Sequence, residues 1–198
     1  MKIVCIGDSL TEGLGVVKEK SWPLVLGELG KIEVVNRGIS GDTTTGMVGR
    51  FYHDVIHHQP SHCIIMGGAN DLWWDQPIHG IMANLYSMIK QALHHKITPI
   101  IGIPTPICME AVDRETVWEP VAGYPVLQDK LGQLVSGYRR LAEGNGWPYI
   151  DFHSLYLNEN KEVNQLYFAN TDGIHPNETG HRDMAQLALE TIKMVLKK

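Results

Sequence analysis

Short apolar runs alternating with longer segments of helical period constrain this chain more than any other feature, because that alternation is how repeated strand-helix units on a mostly parallel sheet are written in sequence. The runs fall at residues 2–6, 32–36, 62–66, 98–103 and 147–151. Between the third and fourth, Ile78, Ile81, Met82, Leu85, Met88, Ile89, Ala92 and Leu93 recur at helical spacing after Pro77, a good first-turn residue. A second helix is expected over about 43–58, capped by one of Thr43, Thr44 or Thr45, and a last one from about Pro176 to Lys197. Five strands with helices between them predict a three-layer α/β/α sandwich around a five-stranded parallel sheet. One stretch breaks the alternation: residues 104–128 carry Pro104, Pro106, Pro120 and Pro125 with no steady period, which reads as a long elaborated loop. No repeat or linker divides the rest, so residues 1–198 are expected to form one domain.

Composition narrows the function classes. Seventeen Lys and Arg against 22 Asp and Glu leave a net charge of −5, without the basic stripe that phosphate-backbone binding needs, so nucleic acid is not the expected partner. No apolar run approaches the roughly 20 residues of a membrane helix. Cys5, Cys63 and Cys108 are odd in number and lack CxxC spacing, which suggests neither a disulfide framework nor a zinc site. Met1-Lys2 runs directly into the first apolar run with no charged-then-apolar leader. A cytoplasmic location is the expectation.

Open parallel sheets bind ligands beyond the carboxyl ends of their strands, so the residues after each run are the ones to inspect. Four such places carry chemistry: Gly7-Asp8-Ser9-Leu10, Asn36 to Asp42, Gly67-Gly68-Ala69-Asn70-Asp71, and Asp172-Gly173-Ile174-His175-Pro176. Ser9 follows the first strand, where Gly7 permits a tight backbone and the hydroxyl can stand exposed at a helix-like start. A serine hydroxyl needs a base; His175 is the obvious one, and Asp172 can reach across a glycine-containing turn to hold its ring. The Ser9 amide, the Gly41 amide and the Asn70 side-chain amide are suitable donors for a tetrahedral oxyanion, with Gly41 letting the backbone come close. Asp8 and Asp71 read as turn-stabilising. Singly each piece is ordinary turn chemistry; together they are the parts of a serine esterase.

With the blocks Gly7-Asp8-Ser9-Leu10, Ser40-Gly41-Asp42, Gly68-Ala69-Asn70-Asp71 and Asp172-x-x-His175 in that order across residues 7 to 175, the chain resembles the SGNH hydrolases, also called GDSL esterases and lipases. The resemblance implies Ser9 as nucleophile, His175 as base oriented by Asp172, and Ser9, Gly41 and Asn70 as oxyanion donors. It also implies a flavodoxin-like sheet of order 2-1-3-4-5, no cofactor, and hydrolysis of a small-molecule ester: short-chain acyl or acetyl esters, thioesters or lysophospholipids. Acyl transfer to another alcohol and a catalytically silent binding module are the alternatives on the same fold.

Rival readings fit less well. The α/β-hydrolase elbow needs Gly-x-Ser-x-Gly at mid-chain, and a phosphate loop needs Gly-x-Gly-x-x-Gly or a Walker lysine; neither is present. The histidine pairs His57-His58 and His94-His95 read as last-turn residues of helices rather than metal ligands, so no metal site is assigned. Cys5 and Cys63 read as core, Cys108 as exposed. Trp73, Trp74 and Trp118 are candidates for the substrate wall, Trp73-Trp74 equally for a loop anchor. The loop 104–128 is expected to wall the site or to form a homo-oligomer contact that closes it.

Overall fold

The computed structural model describes residues 1–197. Strand β1 (Lys2–Gly7) leads through the short helix α1 (Ser9–Glu12) and helix α2 (Trp22–Gly30) to β2 (Glu33–Gly38). Helix α3 (Thr44–Asp54) and β3 (His62–Met66) follow, then the short α4 (Ala69–Trp73), α5 (Ile78–His94) and β4 (Thr98–Ile103). Helix α6 (Tyr124–Asn145), β5 (Tyr149–Asp151), the short α7 (Phe152–Leu155) and α8 (Glu178–Val195) complete the order.

The five strands are parallel, in the order β2-β1-β3-β4-β5. The two-residue period of a strand sorts the β1 side chains between two cores. Val4 and Ile6 join Met47, Phe51, Leu85, Met88 and Leu134 on the face covered by α3, α5 and α6. Ile3 and Cys5 join Trp22, Leu26, Met184, Ala188 and Ile192 on the face covered by α2 and α8. Both faces are therefore buried, as the unbroken apolar runs require.

Register places the functional blocks. Gly7 pairs with Gly38 on one side and Met66 on the other, so β1, β2 and β3 end flush. The residues after each strand, Asp8-Ser9, Ile39 to Asp42 and Gly67 to Asn70, then emerge side by side. Gly7 is required for this closeness: a Cβ there would fall 2.6 Å from the Met66 carbonyl oxygen.

Four expectations need correction at element ends. Helix α3 stops at Asp54 with Val55 as its cap residue, Ile56–His58 form a separate 3₁₀ turn, and Gln59 takes φ 49° before Pro60. His57 and His58 thus cap no α-helix, although His94 does lie in the last turn of α5. Pro77 precedes α5 as its cap residue. The last helix begins at Glu178, because the Asn177 side chain accepts from the Gly180 amide and caps it there, leaving Pro176 outside. The final five residues of the segment 104–128 are the first turn of α6, where Pro125 is tolerated and Tyr124, Leu127 and Leu131 turn into the core.

Candidate active site

The N-terminus of α1 sets Ser9. Asp8 caps that helix, its Oδ1 accepting from the Leu10 amide at 3.0 Å, and Ser9 is the first helical residue. Ser9 is only 8% exposed, recessed in a cavity rather than standing open at the sheet edge. Its Oγ lies 2.8 Å from His175 Nε2. His175 Nδ1 lies 2.6 Å from Asp172 Oδ2, and Asp172 Oδ1 accepts the amides of Ile174 and His175 at 2.9 and 2.8 Å. Burial alone would push the Asp172 carboxyl up, but the hydrogen bonds from the His175 ring and from the two amides hold it down to about 2. An ionised carboxylate only accepts, so Nδ1 carries a proton, and in the neutral ring Nε2 offers its lone pair to the Ser9 hydroxyl.

The three segments at the flush strand ends converge on the same cavity, of about 370 Å³, lined by Ser9, Gly41, Asn70, Asp172 and His175 among others. Gly41 takes φ 78°, a region that L side chains rarely adopt. No atom lies within 4 Å of where its Cβ would be, so conformation rather than crowding requires the glycine. Asn70 lies in the first turn of α4; one hydrogen of its amide goes to the Asp42 carbonyl at 3.0 Å, leaving the other free. Neighbouring Asp71 bonds not to its own turn but across to α3, accepting from the Thr44 amide at 2.8 Å and hydroxyl at 2.6 Å. Both of its oxygens are thereby occupied by one residue. Asp8 is different: Oδ2 is buried without a partner, and burial pushes the carboxyl up to about 7.

The three tryptophans divide. Trp73 is buried, its Nε1 donating to the Trp118 carbonyl at 3.2 Å while its own carbonyl takes the Val121 amide at 3.0 Å. It anchors the loop and also lines the cavity. Trp74 and Trp118 stand half exposed with ring centroids 4.7 Å apart, a tilted pair on the cavity wall. The loop is also stitched to the histidine turn: the Cys108 amide donates to the Gly173 carbonyl at 2.8 Å and the Asp113 amide to that of Asp172 at 3.4 Å. Cys108 is buried by this packing, contrary to its expected exposure. Thr105, Ile107, Thr116 and Val117 also line the cavity, from the segment 104–128 expected to wall it, whereas Leu14 and Ile174 were not assigned to the wall, since only the folded turns bring them there.

Among the described residues no three His, Cys, Asp or Glu side chains converge as metal ligands would, and no helix is long and apolar enough to cross a membrane.

A parallel sheet of this order with a serine, a histidine and an aspartate hydrogen-bonded in line at its carboxyl edge defines a class, the GDSL-type serine ester hydrolases. Residues 5–182 match the model of the GDSL-like lipase/acylhydrolase family, and the chain belongs to that family. It is 28% identical to an acetylxylan esterase of Geobacillus stearothermophilus, over 96% of this chain and 93% of the relative. An arylesterase of Vibrio mimicus is 39% identical over 45% of this chain and 47% of its own. Among solved structures, a member of the lipolytic protein G-D-S-L family from Veillonella parvula superposes with a TM-score of 0.79 at 26% identity, covering 98% of both chains.

Proposed function

We propose that this enzyme hydrolyses short-chain carboxylic esters, acetyl esters foremost, through an acyl-Ser9 intermediate. The observation that carries the reading is the unbroken line Ser9 Oγ to His175 Nε2 to Asp172, at 2.8 and 2.6 Å, opening on the cavity shared with Gly41 and Asn70. His175 Nε2 takes the hydroxyl proton as Ser9 Oγ bonds to the ester carbonyl carbon. The oxygen of that carbonyl becomes an oxyanion, met by the Ser9 and Gly41 amides and the free hydrogen of the Asn70 amide. Collapse expels the alcohol, which leaves with the proton from His175; water then attacks the acyl group by the same route in reverse. Asp172 keeps the ring in the required tautomer and stabilises the imidazolium.

A cavity of about 370 Å³ is near the lower end of ligand sites and suits a small acyl group. The Trp74-Trp118 pair offers aromatic faces to the alcohol portion, and the named activities of the relatives, on acetylated xylan and aryl esters, lie within this reading. A reducing, cytoplasmic setting goes with it, supported by three free, buried thiols. A series of p-nitrophenyl esters of increasing acyl length tests the proposal: kcat/KM should be highest for acetate and fall steadily with chain length, whereas a maximum at long chains would overturn the short-chain assignment.

A further inference from the structure

At the carboxyl ends of β1 and β2 lies a side chain that the mechanism does not use. The Arg50 side chain, 16% exposed, makes four hydrogen bonds. Nε donates to Asp42 Oδ2 at 2.7 Å, Nη1 to Asp54 Oδ2 at 2.8 Å and to the Arg37 carbonyl at 2.9 Å, and Nη2 to the Gly7 carbonyl at 2.9 Å. Two of these acceptors are main-chain oxygens at the carboxyl ends of β1 and β2. The third belongs to the residue after Gly41, and the carbonyl of that same Asp42 anchors the Asn70 amide.

One planar cation therefore touches or adjoins every segment that carries a proposed oxyanion donor. Gly7 leads into Asp8-Ser9, Asp42 follows Gly41, and Asp42 holds Asn70. We propose that Arg50 is a positioning residue that fixes the Ser9 amide, the Gly41 amide and the Asn70 side chain relative to one another. This rests on the reading of those three groups as oxyanion donors. The sheet register brings the strand ends level, but the donors lie in the turns and short helices beyond them, and Arg50 ties the Asp42 turn to the ends of β1 and β2 through its bonds to Asp42, Arg37 and Gly7. Lysine could not substitute: its ammonium is a point charge with three donors, whereas the acceptors here are spread around a rigid fork. Asp42 and Asp54 are slightly more buried than Arg50, and although burial raises the Asp54 carboxyl, hydrogen bonds from Arg50 and His53 bring it below its usual range.

Loss of Arg50 would strand two buried carboxylates and lower stability whatever its role, so the test must read catalysis in folded molecules. Arg50→Lys, Asp42→Asn, Asn70→Ala, the double variant Arg50→Lys/Asn70→Ala and a control, Arg139→Lys, would be assayed on p-nitrophenyl acetate well below their melting temperatures, with folded fraction from circular dichroism. Arg139 makes comparable bonds to Asp151 and Ser154 but touches none of the segments that carry the proposed donors. Positioning predicts that Arg50→Lys lowers kcat of the folded enzyme by roughly 10–100-fold with KM within about threefold, and slows phosphonate modification of Ser9 in step. Asp42→Asn should lower kcat less, and Arg139→Lys should leave it unchanged. The Arg50 and Asn70 effects should combine to much less than their product, since both act through one oxyanion site. Wild-type kcat in folded Arg50→Lys, or a fully multiplicative double variant, would overturn the proposal while leaving the oxyanion assignment standing. An Asn70→Ala variant with unchanged kcat would instead sink that assignment.

Discussion

Asp172 holds His175 at two points at once: Oδ1 takes its backbone amide at 2.8 Å and Oδ2 its ring Nδ1 at 2.6 Å. One carboxylate thus orders both the turn and the imidazole, and the ring cannot rotate or change tautomer without losing its bond to Oδ2.

Asp172→Asn should keep the fold and lower kcat by about 10³–10⁴, because an amide facing Nδ1 can present a hydrogen and turn the protonated ring nitrogen toward Ser9. The pH dependence has a definite sign. The folded carboxyl lies at about 2, below an unfolded value of about 3.9, so the stability it contributes is intact above pH ~4 and is lost as pH falls toward 2. Thermal unfolding of both proteins across that window would show the wild-type advantage vanish there; an advantage that persisted to pH 2 would contradict the assignment.

Ser9→Ala should fold normally and retain only the residual activity that binding and oxyanion stabilisation provide. A fluorophosphonate should label wild type at Ser9, as read by peptide mass mapping. Labelling elsewhere with full loss of activity would move the nucleophile.

Asn70→Ala should lower kcat by roughly 10²–10³ with little change in KM, the cost of removing one oxyanion donor. Steady-state kinetics on a small activated acetate decides it. A pure KM effect would mean that Asn70 binds the ester before the reaction rather than the oxyanion during it.

Asp8→Asn should make the protein more stable at neutral pH. Asparagine retains the cap to Leu10, and the buried carboxyl is raised to about 7, well above its unfolded value of about 3.9. A raised acid contributes stability below its unfolded pKa and loses it as pH rises toward the folded one. Wild type should therefore lose stability relative to Asp8→Asn between about pH 4 and 7, and parallel denaturation curves across that range would refute this.

Trp118→Ala should raise KM for esters of bulky alcohols more than for methyl or ethyl esters, since Trp118 pairs with Trp74 on the cavity wall. Sedimentation of the same variant tests the homo-oligomer expectation for this loop: a fall in mass would show that the half-exposed tryptophans serve a subunit contact instead.

Local composition made most of the sheet legible. All five strands lie within two residues of their expected ends, because runs such as Ile3-Val4-Cys5-Ile6 closed by glycine have few alternatives. The site blocks were legible for a related reason, since each follows a strand closely or falls in a glycine-bearing turn. What escaped depended on tertiary packing. Nothing between Gly7, Arg37, Asp42 and Arg50 signals that one guanidinium will gather their carbonyls and carboxylate, and the burial of Cys108 follows from a pairing with Gly173 that is 65 residues distant in sequence. The start of α6 was hidden by Pro125, which at a first turn favours the helix it was read as breaking.

The stitching of Cys108 to Gly173 and of Asp113 to Asp172 bears on how such an enzyme can diverge. Gly173 sits so tightly under this stretch that a side chain there would fall 2.6 Å from the Ala111 carbonyl carbon and 2.8 Å from the Cys108 oxygen. Residues 108–113 and 172–175 therefore pack as one unit, and insertions into either should lower turnover. Beyond Asp113 the chain turns on that residue alone, its carboxylate and carbonyl accepting from Glu115, Thr116 and Val117, and makes no bond to the histidine turn before Trp118 and Val121 meet Trp73. Lineages that acquire new substrates should accumulate their length changes at residues 114–117, and a library randomised there should yield altered specificity at far smaller loss of activity than one randomised at 108–113.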